Sequence, residues 1–311
     1  MFLYYSLRGI EWRQVWTSLR AANPALVAAA AGLSCLGLFL RSYRWRVLLT
    51  AQGEVSVPQA FWATAAGYLG NNVLPARAGE VIRTLMISTT SGFSRSFVLT
   101  TALSERMVDA IALITISSVV LLMVPIQAGW LMQAARPFAF VGFAGVAAIA
   151  LLPLFEAFWF RVLARVPVPE RLRGTVETIL RHVLQGIRSF HDPGRLVRFL
   201  SLTCIIWLLD ATITITGAKA LGLAMPLPVA FLLVAGLGLG SALPSTPGYV
   251  GVYQIVAVKI LTPFGFSNND AIAYILLFQA MNYAVILFWG LLGLALRRGA
   301  PAAVTMGMAQ E

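Results

Sequence analysis

Charged residues are scarce in this sequence: 11% of its 311 positions are Asp, Glu, Lys or Arg, while 59% are apolar. An ordinary soluble domain carries roughly 25% charge, so a water-exposed surface around the whole chain is excluded. Lysine is nearly missing. Of 23 basic residues, 21 are arginine and two are lysine, Lys219 and Lys259, and the net charge is +11. The arginines flank apolar segments and do not gather on one soluble face, which argues against nucleic acid and for anionic lipid headgroups as partners. Cys35 and Cys204 are the only cysteines and lie inside apolar runs; they read as small core residues and imply neither a disulfide nor a metal. His182 and His191 have no ligand partner nearby, so no metal or other cofactor is expected. The sequence lacks His-Glu-x-x-His, Gly-x-Ser-x-Gly and a Gly-Lys-Ser/Thr phosphate loop, which sets aside the common hydrolytic chemistries and ATP-driven transport within the chain. It also lacks the short alternating segments of a membrane β-barrel. No cleavable signal is legible, because the first apolar run begins late, after a segment with Trp and Arg.

What is present is a set of apolar runs near the ~20 residues that a helix needs to cross a bilayer. The expected fold is all-α, a polytopic transmembrane helical bundle forming one integral membrane domain over 1–311. Asn23-Pro24 is a helix start, with Asn as cap and Pro in the first turn. The first span runs from Pro24 to about Leu40, closed by Arg41, Arg44 and Arg46 with Trp45 at the interface. Further spans are expected over 97–124, 137–155, 196–221 and 269–296, the last closed by Arg297 and Arg298. Half one covers about 24–155 and half two about 196–298. Between them, 156–195 is an amphipathic linker. Eight arginines fall within 156–198, and Leu172, Val176, Ile179, Val183 and Ile187 recur there at helical spacing, as in a helix lying on the membrane surface. The positive-inside rule places 156–198 and the C-terminus on the cytoplasmic side of the cell's inner (plasma) membrane. It also leaves Arg8, Arg13 and Arg20 outside. Either that segment, with Trp12 and Trp16, is an outer interfacial helix, or a leading span is missing; both readings stay open.

Two segments interrupt the pattern. Residues 58–73 and 77–87 are each too short to span, as are 228–243 and 249–261. The breaks share a spelling: Gly, six residues, then Leu-Pro-x-x-x-Gly, at Gly67…Leu74-Pro75…Gly79 and at Gly236…Leu243-Pro244…Gly248. The charge count makes the two pairs enter from opposite faces. Short Gly/Pro-interrupted segments at corresponding places in two halves are the mark of inverted-repeat transporters with re-entrant or broken helices.

Polar residues at membrane depth are costly unless they line a cavity or pair with one another. Asn71, Asn72, Arg77, Glu80, Arg83 and Arg106 from the first half, with Ser245, Thr246, Gly248, Tyr249 and Gln254 from the second, are the expected substrate-binding set. Pro75, Gly79, Pro244 and Pro247 are the helix breaks. Helix N-termini resuming after the breaks favour an anion, and the arginines offer forked donors suited to phosphate. Glu105 and Asp109, four apart, share a helix face with Arg106 beside them; with Glu80 they are candidates for gating or coupling. Against these stand blander readings: Arg83 snorkelling to the interface, and Glu105, Arg106 and Asp109 as a neutral ion-pair knot holding helices together. Asp210 and Lys219 read as partners of other charges or as residues near an aqueous end.

The stretches Arg44-Trp45…Leu48-Leu49, Asn71…Leu74-Pro75-x-Arg77-x-Gly79-Glu80…Arg83, Glu105-Arg106…Asp109 and Pro244-Ser245-Thr246-Pro247-Gly248-Tyr249-Val250-Gly251-Val252 resemble the flippase-like family typified by the membrane domain of lysylphosphatidylglycerol synthase. They run through most of the chain in that family's order. The resemblance implies movement of lipids such as aminoacylated phosphatidylglycerol between leaflets. Related members accompany hopanoid or glycolipid pathways, so the lipid is not fixed by the family. Two departures stand out: Gln254 replaces a common Glu, and the family's earlier span is not apparent. The synthase's soluble aminoacyl-transfer domain is not in this sequence, so a lipid translocator and not an enzyme is expected. The competing readings are an accessory subunit that presents lipid to a lipid-modifying enzyme, and an intramembrane transferase using Glu105 or Asp109 as base.

Overall fold

In the computed structural model, the described residues are 7, 9–74, 78–123, 140, 144, 161, 174, 177, 192–241 and 247–297. Among them are nine α-helices: α1 (Trp12–Arg20), α2 (Pro24–Leu49), α3 (Val57–Val73), α4 (Gly79–Ser91), α5 (Arg95–Met123), α6 (Pro193–Ala220), α7 (Leu227–Gly240), α8 (Val252–Leu261) and α9 (Asn268–Arg297). Three of these, α2, α6 and α9, are long and apolar enough to cross a membrane. The expected span over 137–155 and the surface helix over 156–198 lie outside the described residues, apart from the single positions 140, 144, 161, 174 and 177 and the start of α6.

Local chemistry sets the helix starts. The Asn23 side chain accepts hydrogen bonds from Ala25 N (3.0 Å) and Leu26 N (3.3 Å), and Pro24 opens α2. Asp192 and Pro193 do the same for α6. Ser56 and Gln59 form a reciprocal capping box at α3. Within the helices, hydroxyls in apolar surroundings are satisfied by the carbonyl one turn back, as in Thr64→Ala60, Thr115→Ile111, Ser118→Ile114 and Thr212→Leu208. Asn23→Ala is expected to cost about 1 kcal/mol, read as a lowered melting temperature in detergent.

The main packing is antiparallel α2 against α6. Leu48 meets Phe199, Arg44 reaches Thr203, Arg41 reaches Asp210, and Asn23 N donates to Ala220 O. At that last end of the bundle α1 lies across the start of α9: Glu11 N donates to Asn269 Oδ1, and Asn269 Nδ2 to Gln14 Oε1. The exposed face of α1 carries Trp12 and Trp16, with Arg20 stacked on Trp16, which fits the interfacial reading. Lys219 is exposed in the last turn of α6 at the same end.

Each interrupted segment is a helical hairpin. In α3–α4, Gly70 lies against Gly79 and Gly67 against Gly79 and Arg83, so the two helices run antiparallel from the break. In α7–α8, Gly240 meets Val252 and Gly236 meets Ile260 in the same sense. The first hairpin begins and ends beside Arg46, Phe93 and the start of α5, where Arg46 Nε donates to Val55 O. The second begins after α6 and ends before α9, at the α1 end. Hence the two hairpins are rooted at opposite ends of the bundle. α3 packs on α9 and on the Pro247–Tyr249 turn, while α7 packs on α5.

Two expectations need correction. The first span does not close at Arg41: α2 continues to Leu49, and Trp45, expected at the interface, is fully buried with its Nε1 donating to Thr101 Oγ1. The reason is that carboxylates on α5 and α6 neutralise Arg41 and Arg44, so the helix tolerates them inside.

Candidate functional site

The first hairpin fixes the site's geometry by contact of glycines. A Cβ at Gly79 would collide with the Gly67 carbonyl and come within 2.6 Å of Asn71 Oδ1 and 2.7 Å of Asn71 N. Only glycine there lets α3 and α4 touch backbone to backbone. The approach lets Asn71 Oδ1 accept the Gly79 N–H at 3.0 Å, serving a free donor at the start of α4. Glu80 follows in the first turn of the same helix.

Behind the hairpin sits a network of charge. Arg44, buried on α2, forks onto Asp109 (Nη1–Oδ1 2.6 Å, Nη2–Oδ2 2.8 Å) and reaches Glu105 Oε1 at 2.8 Å and Thr203 Oγ1 at 3.2 Å. Its guanidinium also lies 5.1 Å from the Phe199 ring centroid. Arg83, equally buried, donates to Glu105 Oε2 at 3.0 Å and stacks 4.5 Å from the Trp45 ring. Its Nε is 2.5 Å from Glu80 Oε2, an ion pair whose angle does not align as a hydrogen bond. Arg41 pairs with Asp210. Arg106 is held least tightly: Glu80 Oε1 is 3.3 Å from its Nε, Asp109 Oδ2 3.8 Å from its Nη1, and Tyr68 Oη 3.4 Å from its Nη2. Arg83 therefore does not snorkel; it closes the inner side of the cluster. The ion-pair knot expected as the bland reading is present, and it joins α2, α4, α5 and α6.

A cavity of about 270 Å³ opens beside this cluster. Arg41, Arg44, Asn71, Asn72, Glu80, Arg106, Asp109 and Asp210, with the Tyr68 hydroxyl, make its polar wall. Trp207, Ser34 and Thr214 come from α2 and α6, and Tyr249, Tyr253, Gln279 and Tyr283 from the second hairpin and α9. Its wall therefore draws on both halves of the chain.

The expected site residues divide accordingly. Asn71, Asn72, Glu80, Arg106, Asp109 and Tyr249 reach the cavity. Arg83 and Glu105 lie in the ion-pair layer behind it. Gly248 and Gln254 also lie behind the wall. Gln254 Oε1 accepts Gly251 N at 2.7 Å at the start of α8, and its Nε2 donates to Gln279 Oε1 at 2.6 Å. Gln279 Nε2 and Tyr283 Oη in turn donate to the Gly248 carbonyl. Gln254 thus organises the turn in which Gly248 (φ +73°) and Tyr249 (φ +60°) take left-handed backbone. The matched glycines are not equivalent in packing, since Gly79 lies on Gly67 whereas Gly248 lies on Tyr283. Arg77 and Pro75, with Pro244, Ser245 and Thr246, lie outside the described residues; of Pro247 only the backbone is described.

Arg41, Arg44, Asp210, Tyr68 and Trp207 were not among the expected site residues. A signal for the first two was available. Arg41 and Arg44 stand three apart on one helix face, and Glu105 and Asp109 outnumber the single arginine, Arg106, that neighbours them on α5.

The fold-level picture agrees with relationships to known proteins. Glycosyltransferase AglD of Haloferax volcanii is 27% identical over 322 residues, an overlap covering 90% of this chain and 50% of that protein. The chain thus spans about half the length of that relative. The hairpins, the buried arginine cluster and the apolar spans belong to a multi-pass membrane protein of a recognisable kind: the family model of the lysylphosphatidylglycerol synthase TM region matches residues 1–290, and the chain is a member of that family.

Proposed function

We propose that this protein is a lipid translocator that moves a polar or anionic lipid (a phospholipid, an aminoacyl-phospholipid, a hopanoid or a glycolipid) between leaflets, and that it is not itself an enzyme. The observation that carries this reading is the cavity walled by both hairpin regions, with charged and amide groups inside an otherwise apolar bundle. A headgroup occupying it would be screened from hydrocarbon while its acyl chains stay in lipid. Arg106 and Glu80 are its contacts on the first hairpin side, and Tyr249 on the second. Glu80, shared between Arg83 and Arg106, is the gating carboxylate.

The hairpins are read as re-entrant and the halves as an inverted repeat. Support comes from their opposite roots and from sequence separation. Gly67 and Gly236 are 169 apart, as are Arg41 and Asp210, which pair with each other across α2 and α6. The same offset exchanges the contact of Arg44 with Phe199 for that of Ala30 with Ile213. The orientation that goes with this reading has 156–198 and the C-terminus in the cytoplasm of a cell whose inner membrane holds the protein.

In reconstituted vesicles, Glu80→Gln, Arg106→Ala and Arg77→Ala are each expected to lower leaflet transfer by about tenfold or more while the protein elutes as the wild type. Wild-type transfer in all three would sink the proposal.

A second reading is favoured by the Haloferax volcanii relative, in which the matched region makes up half of a protein named as a glycosyltransferase. Here the chain would be an accessory membrane subunit that presents lipid to a separate lipid-modifying enzyme. Co-purification of a stoichiometric enzyme, together with absent transfer by the chain alone, would favour it.

A further inference from the structure

We infer that the cavity takes an uncharged, hydroxyl-rich lipid headgroup, a glycosyl or polyol group, in preference to an anionic phosphate head; the inference rests on the translocation reading above. Three independent features of the cavity point the same way.

The first is charge balance. Arg41, Arg44, Arg83 and Arg106 face Glu80, Glu105, Asp109 and Asp210, four cations and four anions, and each arginine has at least one carboxylate partner. Among the described residues of this cluster the charges balance, so each arginine is engaged with a carboxylate before any phosphate arrives. Glu80, Asp109 and Asp210 reach the wall itself, where they repel an anion and accept hydrogen bonds from hydroxyls. The helix starts expected to hold an anion are also served from within. Asn71 takes the first N–H of α4 and Glu80 sets a negative charge in its first turn, while Gln254 takes Gly251 N before α8.

The second is a group of donors without partners. Ser34 (7% exposed) and Trp207 (9% exposed) are at least nine-tenths buried at the cavity wall, yet Ser34 Oγ and Trp207 Nε1 make no hydrogen bond, and neither does Asn72 Nδ2. An indole N–H and an amide NH₂ can only donate. Buried donors of this kind call for acceptor oxygens, and they come from α2, α3 and α6, so one ligand in the cavity would meet all three elements. These donors stand beside ion-paired carboxylates, and a hydroxyl, which both donates and accepts, can serve the donors without the repulsion that the carboxylates set against a phosphate.

The third is shape. Tyr249 and Tyr253 stack with ring centroids 5.0 Å apart and planes at 11°, placing aromatic surface at the wall. Such a surface suits the C–H face of a sugar ring. The volume, about 270 Å³, lies just below the usual range for ligand pockets and admits a headgroup but not a whole lipid.

The test uses the full chain in phosphatidylcholine vesicles with two tail-labelled reporters, a monoglycosyl diacylglycerol and phosphatidylglycerol, and follows loss of the outer-leaflet signal to a membrane-impermeant quencher. The glycosyl lipid is expected to cross at least about tenfold faster than phosphatidylglycerol. The Ser34→Ala, Trp207→Phe double variant is expected to lose most of that preference while its melting temperature stays put. Faster or equal transfer of phosphatidylglycerol overturns the inference and leaves translocation standing. Transfer of neither reporter overturns both. Should the double variant not fold, the wild-type preference between the two reporters still decides.

Discussion

Arg44→Ala is expected to remove the protein from the folded, monodisperse fraction in detergent. Among the described residues, Arg44 is the one that forms ion pairs with both Glu105 and Asp109, and it ties α2 to α5 and, through Thr203 and Phe199, to α6. Taking away one side of a buried ion pair costs about 3–5 kcal/mol because the partner charge stays buried without compensation. Here Asp109 loses its forked partner and Glu105 keeps only Arg83 among its hydrogen-bonded arginines. Arg44→Lys should recover little, since one ammonium cannot present two parallel donors to Asp109 and a third to Glu105. Replacing Arg44 and Asp109 together with Met and Leu should be less damaging than Arg44→Ala alone, because no orphan charge then remains at position 109. Thermal unfolding of the purified variants measures this. A melting temperature of Arg44→Ala equal to that of the wild type would show that the network contributes nothing to holding the three helices.

Gly79→Ala is expected to be nearly as damaging, for a steric reason. The added methyl meets the Gly67 carbonyl, Asn71 N and Asn71 Oδ1, two of them backbone atoms that no rotamer change can move aside. Overpacking costs typically ~1–3 kcal/mol and more where the neighbour cannot yield. The hairpin would have to splay, and the bond from Gly79 N to Asn71 Oδ1 would go with it. Gly32→Ala is the matched control: nothing lies within 4 Å of a Cβ there, and a helix-interior glycine gains about 0.5–1 kcal/mol from the change. Equal melting temperatures for the two variants would refute the close-packed hairpin.

The composition made the membrane class legible, and the Asn23-Pro24 start and the glycine-proline breaks gave helix boundaries within a few residues; the Asp192-Pro193 start of α6 was not read. What misled was the arginine group after Leu40. On sequence alone, Arg41, Arg44 and Arg46 close a span, because an unpartnered arginine belongs at the interface. Arg46 does lie at the rim, bonded to Val55 O, but Arg41 and Arg44 point inward. Gln254 shows the converse: a polar residue in a motif can serve a turn and never meet the cavity.

The sequence by itself determined that this chain is an α-helical membrane protein with two broken segments, because hydropathy, capping and helix breaking act over a few neighbouring residues. Only the tertiary structure decided which charges cancel and which groups face the hollow. Arg44 meets carboxylates 61 and 65 positions away and Arg41 one 169 away. Such pairings depend on which faces of distant helices come together, and no local pattern records them.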